Sequence, residues 1–284
     1  MACISIQSAL EHAITVFRRS EFSSDGQQIH DARGLLCFVL EAPNSHLITH
    51  ADQLLTCHQW SRFQSLVARR SHDEPMAYLT GERGFWTMDV KVTSDVLDPR
   101  PDTETLVQAC LDYLDASPKT VLDAGTGSGV VAGALVRERP GWQLLASDLS
   151  LRALRVAAEN LKAPAVPLVC GDWTAAFSAH SLDAIVSNPP YLAGDDPHLS
   201  ALRHEPHMAL VADEDGLGAF MRIIGDASRV LNPDGWLFLE HGYTQQDAVI
   251  HLLRGSDFQL VHRMNDLGGN PRVVVARLTG DHDE

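Results

Sequence analysis

Long apolar runs and paired cysteines are both missing from this 284-residue sequence. The longest apolar run, counting glycine, covers only residues 129–136, whereas a membrane-spanning helix needs about 20 apolar residues. The five cysteines are odd in number and widely spaced, and the sequence has no C-x-x-C pair, which weighs against a disulfide framework and a zinc ribbon. We therefore expect reduced thiols and a cytoplasmic location.

Positive charge is also scarce. Lysine and arginine together number 22 against 37 aspartates and glutamates, so the net charge is −15. Proteins that bind nucleic acid or an anionic membrane draw much of their affinity from a basic face, so we expect neither as a direct partner. An acidic chain instead suits a partner with a basic surface. We expect the chain itself to be a monomer.

Residues 1–82 have the periodicity of a small helical domain. Apolar residues recur there at helical spacing, and Pro75 closes the helical region. Thr56 and Gln59 can form a capping box at the start of a further helix, whose apolar residues are Trp60, Phe63, Leu66 and Val67. The other two stripes are Ile6, Leu10, Ala13, Ile14 and Phe17, and, after Asp31, Leu35, Leu36, Val39 and Leu40.

Residues 83–100 are predicted to form a β-hairpin linker. Apolar side chains alternate along one face of a strand over 85–92. They are Trp86, Met88, Val90 and Val92. The P-R-P-D-T-E run at 99–104 follows, and in it Asp102 or Thr103 can cap a helix that extends to about residue 115.

Strands and helices alternate from residue 101 to 280. This alternation predicts one α/β domain with an open, mostly parallel sheet and helices on both faces. Strands are predicted at 120–123, 143–147, 166–170, 184–187, 236–240, 259–262 and 273–277, and helices near 129–138, 150–161, 216–230 and 245–254. The polar tail 281–284 is expected to be loose.

A glycine-rich turn follows the first of these strands. Gly125, Thr126, Gly127, Ser128 and Gly129 lead from the strand into a helix. Glycine lets the backbone approach a ligand closely, and a helix N-terminus offers free N–H groups to a carboxylate or phosphate. The G-x-G-x-G spacing differs from the dinucleotide fingerprint G-x-G-x-x-G. We interpret the turn as a ligand-binding loop, with a plain tight turn as the alternative.

The next two strands end in residues suited to an adenosine ligand. Asp148 can accept hydrogen bonds from both ribose hydroxyls, and it can also cap the following helix, since the two roles are compatible. Asp172 can accept from an adenine amino group while Trp173 packs on the ring, although a lone tryptophan is more often a core residue.

The run Asn188-Pro189-Pro190-Tyr191 follows the fourth strand, at the sheet edge where ligands of such folds bind. An amide or aromatic amine is a poor nucleophile because its nitrogen lone pair is delocalised. The Asn188 side-chain oxygen and the Pro189 carbonyl can accept its two N–H bonds and hold the lone pair toward an electrophile. The prolines stiffen the backbone, and Tyr191 offers a flat face to a planar group. The alternative is a rigid proline turn.

Together these residues resemble the class I S-adenosylmethionine-dependent methyltransferases, and more narrowly the HemK/PrmC family, the release factor glutamine methyltransferases. The resemblance covers nearly the whole chain and rests on the order and spacing of several motifs. They are E-P with Y-L-T-G at 74–81, F-W at 85–86, P-R-P-D-T-E at 99–104, the glycine loop at 123–129, S-N-P-P-Y at 187–191, R-H-E-P, A-L and D-G-L within 203–217, and D-L, G and R-V within 266–273.

The resemblance implies a Rossmann-like class I methyltransferase domain with a seven-stranded sheet, and S-adenosylmethionine as cofactor. It implies methyl transfer to the side-chain amide nitrogen of the glutamine in the Gly-Gly-Gln motif of peptide chain release factors. The implied cofactor residues are Gly125, Thr126, Gly127, Ser128 and Gly129 for the methionine part, Asp148 for the ribose, Asp172 and Trp173 for the adenine, and Asn188. The implied catalytic residues are Asn188, Pro189, Pro190 and Tyr191, and the helical N-terminal domain is expected to help dock the release factor.

Three positions depart from the family pattern. Asp98 replaces an apolar residue, Ala124 replaces a common leucine, and Gly133 interrupts the helix after the glycine loop, at a cost of about 1 kcal/mol relative to alanine. His198, His204 and His207 lie close in sequence, but their spacing fits no metal-ligand pattern. We therefore expect solvated histidines and no metal.

Three other functions share features of this sequence. N-P-P-Y also occurs in enzymes that methylate adenine or guanine amines in nucleic acid, against which the negative charge and the helical N-terminal domain argue. A close relative of the family methylates a glutamine of a large-subunit ribosomal protein. A catalytically silent binding protein is the third alternative, but such a protein should have lost a loop glycine, Asp148 or Asn188.

Overall fold

The structure, a computed structural model, describes residues 4–20 and 25–279. The chain divides into two compact units, Met1–Glu82 and Arg83–Glu284. The tail 281–284, predicted to be loose, lies outside the described residues. Within the described ranges, every helix is too short or too polar to cross a membrane.

The first unit is helical. Its helices are α1 (Ile6–Arg19), α2 (Asp25–Leu40), α3 (Asn44–Thr49), α4 (Cys57–Arg70) and α5 (Met76–Thr80). The predicted capping box is present at the start of α4: the Gln59 backbone N–H donates to the Thr56 hydroxyl at 3.2 Å, and the Thr56 N–H donates to Gln59 Oε1 at 2.9 Å. Pro75 does not close the helical region, because it precedes α5, which ends at Gly81 in the left-handed conformation.

The core of the first unit differs from the predicted stripes in two respects. In α1 the buried positions are Ile6, Ala9, Ala13 and Phe17, whereas the predicted Leu10 and Ile14 are only partly buried. Helix α2 begins at Asp25, so Asp31 lies inside the helix rather than before it. Asp31 is buried, and its Oδ2 accepts from Arg70 Nε at 2.7 Å. This buried ion pair joins α2 to α4.

A two-stranded hairpin follows, formed by β1 (Glu82–Phe85) and β2 (Met88–Lys91). The predicted continuous strand is wrong, because Trp86 lies in the turn between the two strands at φ 55°. Tertiary hydrogen bonds hold it there: its backbone N–H donates to Glu104 Oε1 and its indole N–H donates to Glu138 Oε1, both at 2.8 Å.

The second unit is built on a seven-stranded sheet in the order β5-β4-β3-β6-β7-β9-β8. Strands β3 to β7 are parallel, β9 is antiparallel to β7, and β8 is antiparallel to β9. The strands are β3 (Thr120–Ala124), β4 (Gln143–Asp148), β5 (Leu168–Cys170), β6 (Leu182–Ser187), β7 (Leu231–Glu240), β8 (Phe258–Asn265) and β9 (Pro271–Leu278). The helices are α6 (Glu104–Tyr113), α7 (Val130–Glu138), α8 (Leu151–Asn160), the single turn α9 (Asp213–Gly216), α10 (Gly218–Val230) and α11 (Gln246–Arg254). The predicted α/β fold class is confirmed.

The strand order determines where a ligand can bind. From the central strand β3 the chain moves outward through β4 and β5, then returns to β6 on the other side of β3. The order reverses between β3 and β6, and in open α/β sheets the crevice at this point, beyond the carboxyl ends of the strands, is the usual ligand site. Ala124 and Ser187 end these two strands, and the Ser187 hydroxyl donates to the Ala124 carbonyl at 2.6 Å.

The predicted side-chain cap of α6 is wrong. A short 3-10 turn, Pro101–Thr103, leads into this helix, and neither Asp102 nor Thr103 caps it. Both side chains have partners elsewhere, since Asp102 pairs with Arg272 at 3.2 Å and Thr103 accepts a hydrogen bond from Asn188.

Two departures from the family pattern have local explanations. Asp98 is buried, and its Oδ1 lies 3.7 Å from Arg83 Nε, so its charge is partly balanced. Gly133 lies where α7 is closely packed: a Cβ at this position would lie 3.2 Å from both Leu161 Cδ2 and Met88 Sδ. The absence of a side chain at Gly133 therefore lets the hairpin and α7 approach each other.

Candidate active site

A cavity of about 320 Å³ lies beyond the ends of β3, β4, β5 and β6. Its walls contain most of the predicted site residues, namely Gly125, Thr126, Gly127, Ser128, Asp148, Asp172, Trp173, Asn188 and Pro190. Three predicted site residues do not line it: Gly129, Pro189 and Tyr191. The structure thus brings parts of the glycine loop and of the N-P-P-Y run to one cavity.

The glycine loop is shaped by close contact with Trp173. Gly125 has φ 76°, and a Cβ there would lie 2.8 Å from Trp173 Cζ3, so no other residue fits without a shift of the ring. Gly129 instead begins α7 with φ 84°, and a Cβ there would lie 2.9 Å from Leu161 Cδ1. Gly125 therefore shapes the cavity wall, while Gly129 shapes the packing behind it.

Asp148 joins the glycine loop to the end of β4. Its Oδ2 accepts from the Gly127 N–H at 2.9 Å, and its Oδ1 accepts from the Ser150 N–H at 2.8 Å. Burial raises the pKa of this carboxyl, and the two N–H donors oppose that rise. The interpretation of Asp148 as a helix cap is wrong, because the Ser150 hydroxyl caps α8 by accepting from the Ala153 N–H.

Asp123 is a wall residue that we did not predict as a site residue. It is buried at the end of β3, where its Oδ2 accepts from the Thr126 hydroxyl at 2.6 Å and from the Ala132 N–H at 3.0 Å. Burial raises its pKa to about 6. Its place as the first residue of the glycine motif was the available signal. Asp123 therefore holds the glycine loop through Thr126, whereas Asp148 holds it through the Gly127 N–H.

Asp172 and Trp173, which follow β5, differ in exposure. Asp172 is exposed, and Trp173 is half-buried with φ 46°. The Ser147 hydroxyl donates to the Trp173 carbonyl at 3.1 Å, which fixes this turn against β4. Trp173 also packs against the hydrophobic core of the second unit, so the site and core interpretations of this residue both describe part of its surroundings.

The N-P-P-Y run is held from two sides. Asn188 Nδ2 donates to the Thr103 hydroxyl at 3.2 Å. The Tyr191 carbonyl accepts from Gln245 Nε2 at 2.8 Å, and Gly216 packs directly against the same carbonyl. The Tyr191 ring is half-buried against the core, and burial raises its pKa.

The remaining walls come from the segment before α6, from the connection between β6 and α10, and from α10 itself. The first two contain motifs of the family pattern, but their wall residues were not predicted as site residues. These walls include Val96, Leu97, Arg100, Met208, Ala212 and Arg222. Arg100 is oriented by Glu205, whose Oε1 lies 2.5 Å from Arg100 Nη2. Glu104 accepts from Trp86, and Arg203 donates to the Ser200 carbonyl at 3.3 Å.

The cavity offers two kinds of chemistry. Carboxylates and backbone N–H groups at the ends of β3 and β4 suit a ligand with hydroxyl groups and a charged end. The Asn188 amide, which follows β6, suits a planar N–H donor. Among the described residues, the structure contains no group of three or more His, Cys, Asp or Glu side chains that could hold a metal ion.

Two family models match the sequence. The PrmC N-terminal domain matches residues 8–81, and the methyltransferase small domain matches residues 100–205. A solved structure of a methyltransferase from Pyrococcus furiosus has a TM-score of 0.53 at 14% identity and covers 79% of this chain and 100% of that one. This likeness concerns the fold alone.

Curated relatives match over nearly the whole length. The release factor glutamine methyltransferase of Xylella fastidiosa is 45% identical over 256 residues, which are 88% of this chain and 93% of the relative. The protein of the same name from Pseudomonas aeruginosa is 40% identical and covers 93% of this chain and 97% of its own length. With such identity over such a span, the chain belongs to the release factor glutamine methyltransferase family.

Proposed function

We propose that this chain is an enzyme that transfers a methyl group from S-adenosylmethionine to the side-chain amide nitrogen of the glutamine in the Gly-Gly-Gln motif of release factors. The observation that carries this proposal is the cavity that Asn188 and Pro190 share with the glycine loop and Asp148. A methyl donor and a planar amide can meet there. The names of the relatives point to the same substrate.

The cavity fits the cofactor on two observations. Gly125 leaves a cradle that a Cβ would fill, so a ligand can approach the backbone closely. Asp148 uses two of the roughly four lone-pair sites of an ionised carboxylate on Gly127 and Ser150, which leaves acceptor capacity for ribose hydroxyls. Trp173 and Asp172 then border the adenine. When bound, S-adenosylmethionine supplies a methyl group already activated by its sulfonium.

The chain's own residues have to orient the acceptor. We propose that the two N–H bonds of the glutamine amide are accepted by the Asn188 side-chain oxygen, on the cavity wall, and by the carbonyl of the next residue, Pro189, which does not itself line the cavity in the structure. The nitrogen lone pair of the glutamine amide is thereby held toward the methyl group, in line with the bond that breaks. These oxygens also stabilise the positive charge that develops on the nitrogen. Positioning contributes much of the acceleration, and no strong general base is needed because an N-methylated amide cation releases its proton readily.

Recognition of the release factor is proposed to involve the first unit and the acidic character of the chain. The first unit matches a domain model specific to this family. In the second unit, the segment after the N-P-P-Y run is hydrogen-bonded to the segment before α9, with Leu192 N–H donating to the Leu210 carbonyl. The first of these segments and α9 carry exposed or half-exposed carboxylates, namely Asp195, Asp196, Asp213, Glu214 and Asp215. A basic protein surface suits them, and such an encounter takes place in the cytoplasm.

The decisive experiment is methyl transfer from radiolabelled S-adenosylmethionine to a purified release factor. Two controls accompany it: the same factor with the motif glutamine changed to alanine, and this enzyme with Asn188→Ala. We expect label on the intact factor and on neither control.

The other outcomes are also informative. Label that persists on the factor without its motif glutamine would refute the proposed acceptor atom. Cofactor binding by calorimetry with no label on the factor would refute the release-factor substrate and favour a ribosomal protein or a nucleic-acid base. Failure to bind the cofactor would favour a silent binding protein.

A further inference from the structure

A series of polar side chains leads from Asn188, in the N-P-P-Y run, to two buried residues. Asn188 Nδ2 donates to the Thr103 hydroxyl at 3.2 Å, and Thr103 in turn adjoins the carboxyl of Glu240, whose ionised form it favours. Thr103 is 3% exposed and Glu240 is 1% exposed. The series therefore connects a cavity-lining amide to a carboxyl that does not line the cavity.

Glu240 is not explained as a partner of the neighbouring arginines. Arg272 pairs with Asp266 at 3.0 Å and with Asp102 at 3.2 Å, and Arg100 pairs with Glu205. Of these groups, Arg272, Arg100 and Asp102 interact electrostatically with Glu240. Glu240 in turn interacts electrostatically with Tyr191. Among the described residues, Glu240 Oε2 has no hydrogen-bond partner. Burying a carboxyl with one unpartnered oxygen lowers the stability of the folded state, so Glu240 calls for a functional explanation.

The direction of the hydrogen bonds among these side chains determines which end of the Asn188 amide faces Thr103. Burial raises the pKa of Glu240 to about 7, so above that pH the carboxyl is ionised and only accepts, and the single hydroxyl hydrogen of Thr103 is then directed to it. The Thr103 oxygen can then only accept from Asn188, which requires the NH₂ end of the amide to face Thr103. The planar amide thereby leaves its oxygen for a donor in the cavity. The opposite orientation would place an NH₂ group against the acceptor's own N–H groups.

We propose that Thr103 and Glu240 are positioning residues that fix the Asn188 amide with its oxygen toward the substrate amide. This inference rests on the proposed function, because it assumes an N–H donor as the acceptor group. Neither residue touches the reacting atoms. Each acts through Asn188, and Glu240 acts through Thr103 as well.

The first test uses two variants of Thr103. Thr103→Val keeps the shape and removes the hydroxyl, whereas Thr103→Ser keeps the hydroxyl. Since misplacing a reacting group can cost about 100-fold, we expect Thr103→Val to lower kcat about 10- to 100-fold. The KM for the release factor and the calorimetric Kd for S-adenosylmethionine should change less than about threefold, and Thr103→Ser should restore kcat to within about threefold. A Thr103→Val enzyme with normal kcat, or a loss that Thr103→Ser does not restore, would overturn the proposal.

The second test asks whether Glu240 acts through Thr103. Glu240→Gln keeps the shape, but its amide can donate to Thr103 and so removes the fixed direction. We expect a loss of kcat of about tenfold in the wild-type background and almost none in the Thr103→Val background, because interacting residues are not additive. Losses that multiply would show that Glu240 acts independently, contrary to the inference.

A third readout does not depend on the substrate. In ¹⁵N-labelled protein, the side-chain amide signals of Asn188 are assigned by their disappearance in Asn188→Ala. We expect hydrogen exchange at this NH₂ group to be slow in the wild type and in Thr103→Ser, and fast in Thr103→Val. Equal exchange in all three would overturn the relay even if the release factor is methylated. Slow exchange with no methylation would instead count against the proposed function alone.

Discussion

The Trp173 ring lies against Gly125, at the van der Waals limit set by a glycine. A Cβ on Gly125 would lie 2.8 Å from Cζ3 of the ring and 3.5 Å from Cη2. The two residues follow different strands, Gly125 after β3 and Trp173 after β5, and both line the cavity. Their contact therefore determines the width of the proposed cofactor site on that side.

Gly125→Ala is accordingly expected to weaken S-adenosylmethionine binding. The substitution adds a steric clash with Trp173 to the strain of a left-handed backbone, which costs about 1 to 2 kcal/mol for a residue with a Cβ. We expect the Kd, measured by isothermal titration calorimetry, to rise at least about tenfold. Gly127→Ala is the matched control, because its φ is also positive but nothing lies within 4 Å of the added Cβ. An equal loss in both variants would mean that backbone strain, rather than the Trp173 contact, sets the affinity.

Asp148→Asn tests the ribose assignment. An asparagine keeps one acceptor oxygen, so it cannot satisfy Gly127, Ser150 and a ribose at once. Hydrogen bonds to charged groups contribute about 1.5 to 3 kcal/mol, so we expect the Kd for S-adenosylmethionine to rise about 10- to 100-fold.

The exposed Asp172→Asn is the control for this prediction. Its amide oxygen can still accept from an adenine amino group, so we expect a change below about threefold. A larger loss at Asp172 than at Asp148 would reverse the two assignments. Both titrations should be repeated at two salt concentrations, since screening would weaken only a purely electrostatic effect.

The strands could be predicted from sequence, whereas some turns could not. Each strand of the sheet has a short apolar run with polar or glycine residues at its end, and this local signal was sufficient for all seven. The predicted strand through Trp86 was wrong because the place of this residue in the hairpin turn depends on Glu104 and Glu138, which lie far along the chain. The predicted helix cap at Thr103 was wrong for the same reason. The sequence does not distinguish a threonine that caps a helix from one that accepts a hydrogen bond from the distant Asn188.

The candidate site shows the same division. The glycine loop and the N-P-P-Y run could be placed together because both follow parallel strands, whose carboxyl ends share one edge of the sheet. The walls from Met208 and Arg222 could not be predicted, because nothing local shows that the long connection after β6 and the following helix α10 fold back over the cavity. The individual roles of the site residues stay predictions, which substitutions at Gly125, Asp148 and Tyr191 can test.

Two substitutions of Tyr191 can distinguish a role for its ring from a role for its hydroxyl. The ring is half-buried against the core, and its backbone is held by Gln245. If the flat face supports the glutamine amide, Tyr191→Phe should keep kcat/KM within about threefold, while Tyr191→Ala should lose at least about tenfold. Steady-state kinetics with the release factor distinguish the two, with the melting temperature of each variant measured alongside. Equal losses in both variants would assign the role to the hydroxyl instead.

Glu240 also makes the stability of the protein depend on pH. Burial raises its pKa from 4.5 to about 7, partly opposed by Thr103, Arg272 and Arg100. Between these pH values the folded state holds a proton that the unfolded state releases, so this group's contribution to stability falls as pH rises from about 4.5 to 7. Glu240→Gln removes that fall. Relative to wild type, the variant should therefore gain about 2 kcal/mol in free energy of unfolding between pH 5 and pH 8. Urea denaturation at the two pH values measures the difference, and the exposed Glu82→Gln serves as the control, for which we expect a profile parallel to that of the wild type. A parallel profile for Glu240→Gln would mean that the carboxyl is already ionised at pH 5, and that its hydrogen bond with Thr103 outweighs the cost of burial.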